Sequence, residues 1–144
     1  MKKILRKLLL VKEIISKQGI IHFRRYRLLQ TPLFSIYIHQ ICQSDTDDMH
    51  DHPWHFLSII LKGGYREISR SFPYFKDLKV VDYYPGDVIV HHLNDVHKIS
   101  LLNKSVWTLV FVFGRKKYWG YRLKDGISIG HEEYRSLKNK GKLK

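Results

Sequence analysis

Three histidines have the spacing to bind a metal ion. His50 and His52 are two residues apart, so on a β-strand both side chains project from the same face. Two imidazoles that converge on one point suit a borderline divalent metal ion, which binds each nitrogen at about 2.0–2.1 Å. A third ligand must come from another strand, and His97 is the candidate because it follows the Asn94-Asp95 turn.

Two further residues could add a ligand to this site. His55 comes within reach if Pro53 introduces a bulge that reverses the strand's alternation. Glu67 comes within reach if it points inward from the next strand. Asp51 alternates outward between the two histidines, and we expect it to orient the loop rather than to bind the ion.

Aromatic and histidine side chains elsewhere could line a pocket or contact the metal-binding histidines. A packing role in the barrel interior is the competing interpretation for each of them. A histidine among them could donate a hydrogen bond to a ligand or transfer a proton. The candidates are Tyr37, His39, Tyr65, His92 and Trp107.

Runs of β-branched and aromatic residues predict the strands that must position these side chains. Turn sequences such as Gly63-Gly64 and Pro85-Gly86-Asp87 separate the runs. Many short strands without helices between them predict an all-β domain, either a closed barrel or a sandwich. The predicted strands are Ile20–Leu29, Leu33–Cys42, Phe56–Lys62, Tyr65–Arg70, Leu78–Tyr84, Val88–His92, Val96–Leu102, Val106–Phe113 and Tyr118–Leu123.

The two ends of the chain differ from its middle. Apolar residues recur at helical spacing between Ile4 and Ile15, and Gly19 stands where a helix would stop, which predicts a helix over residues 3–17. We therefore expect a single domain with three parts. They are a basic N-terminal helix packed on the barrel (1–19), the barrel (20–130) and a charged, frayed basic tail (131–144).

Composition narrows the class of protein. Hydrophobic residues make up 44% of the 144-residue chain and aromatic residues 13%, which excludes global disorder. The single cysteine, Cys42, excludes an internal disulfide and fits a reducing compartment. No apolar run approaches the roughly 18 residues of a membrane span, so we expect a cytoplasmic protein without a transmembrane segment.

The net charge of +13 is concentrated at the ends. Residues 1–27 carry nine Lys or Arg against one Glu, and residues 131–144 carry five against two acidic residues. Such clusters can bind phosphates of nucleic acid or of a membrane surface. No nucleic-acid motif accompanies them, so a solvated charged surface is the favoured interpretation.

The region around the first two histidines resembles the first motif of the cupin superfamily. His50-x-His52 is followed by Gly63 at the distance where that motif ends its strand. The glutamate that usually lies between them falls on Phe56 or Leu57, so the resemblance implies a three-histidine metal face rather than a two-histidine, one-carboxylate face.

The region around the third histidine resembles the second cupin motif. Gly86 opens the motif, residues 92–94 stand in the position of Pro-x-Gly, and His97 falls on the metal-ligand histidine. The asparagine that usually closes the motif is Leu101. The resemblance spans roughly residues 33–113.

A closer resemblance is to a group of small single-domain cupin-like proteins. It is carried by His-Asp-His-Pro-Trp at residues 50–54, Gly-Gly-Tyr-x-Glu at 63–67, His97, Trp107-Thr108-Leu109 and Trp119-Gly120. The resemblance implies a double-stranded β-helix (jelly-roll) barrel and a divalent transition metal, with iron, manganese, nickel and zinc as equal candidates. Cupins often pair through their sheets, so a homodimer is expected.

Three functions fit this sequence. The first is a metal-dependent enzyme, in its most specific form a non-haem oxygenase that acts on a small organic molecule. The second is a metal-independent isomerase or epimerase of the sugar-nucleotide type, with acid–base roles for His50, His55, Tyr65 and His97. The third is a non-enzymatic ligand-binding cupin whose basic ends touch nucleic acid or a membrane.

Overall fold

The computed structural model describes residues 9–71, 77–114, 120–123 and 128–143. Within these ranges the chain forms twelve strands and a C-terminal helix. In chain order they are β1 (Leu10–Ile15), β2 (Ile21–Gln30), β3 (Phe34–Ile41), β4 (Met49–His50), β5 (His55–Lys62), β6 (Tyr65–Arg70), β7 (Lys79–Tyr83), β8 (Val88–His91), β9 (Val96–Leu101), β10 (Val106–Phe113), β11 (Gly120–Arg122), β12 (Ser128–Gly130) and α1 (His131–Asn139).

The strands form two six-stranded sheets, and the strand pairs within each sheet are antiparallel. The first sheet has the order β1-β2-β3-β10-β5-β8, and the second has the order β12-β11-β4-β9-β6-β7. The all-β prediction is confirmed, and strands β2, β3 and β5 to β10 lie within two residues of their predicted limits. Runs of β-branched and aromatic residues between turn sequences gave these limits.

Side chains from both sheets fill the space between them. Strand β10 shows the pattern most clearly, because Val106, Thr108, Val110 and Val112 are buried while their neighbours in sequence are less so. The main core cluster joins Ile60, Ile89 and Val106 of the first sheet to Tyr65 of the second. A second cluster is formed by Phe56, Val110 and Val112, with Tyr37 and Trp54 packed against it.

The predicted N-terminal helix is wrong over the described part of the segment. Leu10–Ile15 is a strand that pairs antiparallel with β2, and Gly19 lies in the turn of that hairpin at a φ of +79°. The segment contains the β-branched Val11, Ile14 and Ile15, whose stiff side chains favour a strand once a neighbouring strand can satisfy its backbone. Residues 3–8 of the predicted helix lie outside the described residues.

The C-terminal segment is ordered, where a frayed tail was expected. Helix α1 buries Tyr134, whose ring stacks on Tyr121 with a centroid separation of 3.8 Å. The Tyr134 hydroxyl donates a hydrogen bond to Asp48 Oδ2 at 3.1 Å. The sequence signal was weak because one buried aromatic among charged residues gives little periodicity. No helix in the described ranges is long and apolar enough to span a membrane.

Candidate metal centre

Strand pairing sets His50 directly opposite His97. The two residues are Cα partners in the antiparallel pair β4–β9, and their ring centroids are 4.8 Å apart. On its other side, β4 pairs with β11, where His50 lies opposite Tyr121. Residues directly opposite in an antiparallel pair share a face, so both imidazoles project into the interior between the sheets.

His52 follows β4 in a segment that Asp51 attaches to β11. The Asp51 amide donates to the Gly120 carbonyl at 3.0 Å, and the Gly120 amide donates to Asp51 Oδ1 at 2.7 Å. These two bonds agree with the predicted orienting role of Asp51. The His52 ring turns inward, with its centroid 4.9 Å from that of His97 and 4.8 Å from that of Phe56.

The three predicted histidines converge. One ligand nitrogen from each of His50, His52 and His97 lies within 4.8 Å of the other two. The Nε2 atoms of His52 and His97 are 2.8 Å apart. His97 is only 4% exposed, and the other two are partly buried. Three imidazole nitrogens brought together in a shielded position form a group that could hold a metal ion.

A buried carboxylate lies behind His97. Glu67 Oε2 is 2.9 Å from His97 Nδ1 and 3.0 Å from His91 Nε2, and all three side chains are buried. An ionised carboxylate only accepts hydrogen bonds, so both histidine nitrogens donate to it. A neutral His97 then carries its proton on Nδ1 and turns the lone pair of Nε2 toward His52. Metal-binding histidines are commonly oriented in this way.

The electrostatics of the group favour neutral imidazoles and a charged carboxylate. Burial lowers the pKa of His50 to about 3, and burial with the nearby His97 and His50 holds that of His52 well below its ordinary value. Burial alone would raise the pKa of Glu67, but hydrogen bonds from His91 and His97 outweigh it and lower that pKa to about 2. His50 and His52 are thus neutral, which is the protonation state that binds metal.

Neither predicted additional ligand joins the three-histidine group. Glu67 points inward as required, but it contacts the far nitrogen of His97 and forms a second potential ligand group with His91. His55 Nδ1 accepts a hydrogen bond from the Leu93 amide, and its ring lies edge-on to that of His92. His55 turns away because normal alternation continues through β5, where the next residue, Phe56, is buried.

The predicted pocket residues fall into different environments. Tyr65 belongs to the main core cluster and is 3% exposed, whereas His92 is exposed. Trp107 stacks on Tyr26, 6.0 Å away, on the face of β10 opposite the buried Thr108, so its predicted place in the pocket wall is wrong. Successive side chains of a strand point to opposite faces. The sequence of β10 is largely apolar on both faces, so it does not indicate which face is buried.

Tyr37 and His39 do lie on the interior face of the first sheet. Tyr37 is opposite the buried Val110, and His39 is opposite the buried Thr108. Their ring centroids are 6.1 Å apart, and both rings lie close to the Arg25 side chain.

His91 was missed as a functional candidate. It ends β8, where Ile89 and His91 are buried while Val88 and Val90 are exposed. The sequence does not show that alternation, because Val88, Ile89 and Val90 are all apolar, and pairing with β5 decides that His91 faces inward. Its partner, Glu67, could not be identified from spacing alone, because 24 residues separate them along the chain.

The comparisons with known proteins rest on structure. No protein-family model matches the sequence, and no curated protein matches it. A cupin superfamily protein from Desulfitobacterium hafniense DCB-2 superposes with a TM-score of 0.50 at 17% identity, over 64% of this chain and 77% of that one. The fold is that of a cupin.

Two enzymes share this cupin fold. The DMSP lyase DddQ from Ruegeria pomeroyi DSS-3 has a TM-score of 0.57 at 17% identity, over 76% of this chain and 60% of that one. Fe(II)-HppE, in a structure with an alternative substrate, has a TM-score of 0.54 at 12% identity, over 71% of this chain and 55% of that one. The matched part of this chain thus spans little more than half the length of Fe(II)-HppE. At sequence identities of 12% and 17%, these similarities establish a shared fold and no shared activity.

Proposed function

We propose that this cupin is a metal-dependent enzyme in which His50, His52 and His97 bind one divalent transition metal ion. The observation that carries the proposal is the convergence of three imidazole nitrogens within 4.8 Å of one another. The orientation of His97 by the buried Glu67 supports it, because that hydrogen bond presents the Nε2 lone pair to the same point.

The spacing of two donor atoms fits the coordination of such an ion. Nitrogens that are each about 2.0–2.1 Å from an ion and about 90° apart lie about 2.9 Å from one another, whereas a tetrahedral angle separates them by about 3.4 Å. The observed Nε2–Nε2 distance between His52 and His97 is 2.8 Å. Three protein ligands would leave positions on such an ion for substrate and for water or dioxygen.

The chain's own side chains would shape the chemistry at this face. An ion held there supplies Lewis-acid activation, or redox activation with dioxygen as the oxidant when the ion is redox-active. The ring of Phe56 packs edge-on against that of His52. Glu67 holds His97 in one tautomer. Oxygen-dependent oxidation of a small organic molecule is the most specific form of the proposal.

A metal-independent isomerase is the second candidate, and the geometry favours it less. It needs an acid and a base that face one substrate, yet Tyr65 lies in the apolar core cluster and burial raises its pKa. His55 accepts a hydrogen bond from the Leu93 amide and lies beside His92, outside the three-histidine group. His50 and His97 lie together, but the other two acid–base candidates, His55 and Tyr65, lie outside their group.

The binding-module alternative rests on the basic ends of the chain. Arg24 of β2 is already paired with Glu13 of β1, which reduces the charge available on that face of the hairpin. Titration with duplex DNA at two salt concentrations tests the idea, since phosphate contacts weaken with salt. The expected homodimer likewise stays a prediction, to be tested by sedimentation.

Nitric oxide binding to iron-loaded protein tests the proposed enzyme site. Nitric oxide occupies a position that dioxygen would use and gives Fe(II) a characteristic electron paramagnetic resonance signal. The protein loaded anaerobically with Fe(II) should give this signal, because three histidines leave positions open. His52→Ala should abolish it, and His92→Ala, which removes an exposed histidine, should not. Bound iron without a signal would indicate a closed structural site and contradict the enzyme proposal.

A further inference from the structure

Arg25 lies on the interior face of the barrel wall. It is the Cα partner of His39 in the β2–β3 pair, and His39 is in turn opposite the buried Thr108. Residues that are directly opposite share a face, so the Arg25 side chain is on the same side of the sheet as the core. A charged residue on this face needs a reason, because burial of a charge is costly.

Aromatic rings and one histidine hold the guanidinium group in place. Its carbon lies 5.0 Å from the ring centroid of Tyr37, 5.5 Å from that of Trp54 and 5.7 Å from that of Phe23. Arg25 Nε donates a hydrogen bond to His39 Nε2 at 2.9 Å. These contacts orient the side chain, and among the described residues they leave its charge without a counterion.

No carboxylate of the described residues pairs with Arg25. The neighbouring Arg24, on the opposite face of the same strand, is paired with Glu13. An arginine side chain has five N–H donors, and only the bond from Nε to His39 is made within the described ranges. Four donors at the guanidinium end therefore remain for a ligand.

The groups around Arg25 raise the local positive potential. Lys12 is its Cα partner on β1 and adds a second cation on this side of the hairpin. Burial, together with the charges of Arg25 and Lys12, holds the pKa of His39 well below its ordinary value. His39 is therefore neutral and accepts the hydrogen bond from Arg25 without compensating its charge. An electrostatic environment of this kind favours an anion.

Packed neighbours link Arg25 to the histidine site. A cavity of about 210 Å³ lies beside them; its lining includes Tyr37, Trp54 and Val112, and neither Arg25 nor the three histidines belong to it. Tyr37 and Trp54 are two of the rings that flank Arg25. Val112 packs in the same cluster as Phe56, whose ring contacts that of His52.

We propose that Arg25 binds the oxyanion group, a carboxylate or a phosphate, of the small molecule on which the three-histidine centre acts. This inference rests on the proposed function for the identity of that centre. The planar guanidinium offers paired N–H donors that match two oxygens of such a group. The enzyme's substrate is then a small organic anion, held at one end by Arg25 and presented at the other to the metal.

Anion binding to the metal-free chain tests the role of Arg25 separately from the metal. Calorimetric titration with inorganic phosphate and with acetate should show binding of at least one of them to the wild type. Arg25→Gln should weaken it by about tenfold or more, since a charge-assisted bidentate contact is lost. Arg25→Lys should weaken it less. Arg24→Gln removes the same charge from the opposite face and should leave the affinity within about twofold of wild type.

The outcomes separate this inference from the metal proposal. Absence of phosphate and acetate binding in the wild type, or equal losses in Arg25→Gln and Arg24→Gln, would overturn the role of Arg25. Circular dichroism spectra identify a variant that fails to fold, in which case Arg25→Lys carries the comparison. If the anion binds through Arg25, Mn(II) loading should broaden its nuclear magnetic resonance signal. Anion binding through Arg25 without such broadening in the Mn(II)-loaded protein would overturn the link to the histidine site.

Discussion

Glu67 Oε2 accepts a hydrogen bond from His97 Nδ1 at 2.9 Å, inside the barrel and on the side of the ring that faces away from His52. The contact determines which nitrogen of His97 carries the proton and which one is available as a ligand. The same oxygen accepts a hydrogen bond from His91, so the carboxylate links two strands that lie in different sheets.

Replacing Glu67 should weaken metal binding without removing a ligand. Glu67→Gln keeps the shape of the side chain but loses the negative charge, and we expect the affinity for Zn(II) to fall by about 10- to 100-fold. A competition titration with a chromophoric chelator measures the change. Glu133→Gln, on the exposed face of α1, is the matched control and should bind like wild type. An unchanged affinity in Glu67→Gln would show that the carboxylate does not act on the site.

Metal-free protein should lose stability as the pH falls below about 6.5, the ordinary pKa of histidine. In the folded chain the pKa of His50 is lowered to about 3 and that of His52 well below its ordinary value, so the unfolded chain binds more protons in this range. The contribution of neutral His50 and His52 to the free energy of unfolding is fully present above about pH 6.5. It declines toward pH 3, and the loss is on the order of a few kcal/mol.

Urea unfolding between about pH 7.5 and about pH 4 measures this dependence. The double variant His50→Gln, His52→Gln should show a flatter profile than wild type. His92→Gln, which replaces an exposed histidine, should retain the wild-type slope. A double variant as acid-sensitive as wild type would mean that other groups cause the loss of stability.

Gly63 should tolerate substitution less well than Gly86, although both have positive φ angles of +80° and +97°. A Cβ atom on Gly63 would lie 2.3 Å from the Ser105 carbonyl oxygen, whereas one on Gly86 would meet open space. Gly86→Ala should cost about 1–2 kcal/mol from backbone strain alone. Gly63→Ala should lower the free energy of unfolding further, and equal losses in chemical denaturation would contradict the close contact.

The strands and the histidine convergence followed from local patterns in the sequence. Runs of β-branched and aromatic residues identified β5, β6 and β10, and two-residue spacing put His50 and His52 on one face. The N-terminal segment was misassigned because its apolar spacing fits a helix while its β-branched residues fit a strand. Pairing with β2 decided between them. Such pairing is a tertiary interaction that local propensity does not contain.

The residues that orient the metal ligands lie far from them in sequence. Glu67 and His97 are 30 residues apart, and no periodicity links them. Sequence patterns predicted the strand that contains Arg25. They did not predict that Arg25 faces the interior, because this depends on the β2–β3 register that places it opposite His39. Sequence patterns therefore identified the candidate metal-ligating residues, and the register of the sheets identified the residues that orient them.

Metal content of protein purified without a histidine tag tests the central claim most directly. Inductively coupled plasma mass spectrometry should find about one equivalent of a transition metal per chain in the wild type. His97→Ala should retain less than about a tenth of that amount, and His92→Ala should match the wild type. Equal, negligible metal in wild type and His97→Ala, after both have been offered Fe(II), Mn(II), Ni(II) and Zn(II), would contradict the account.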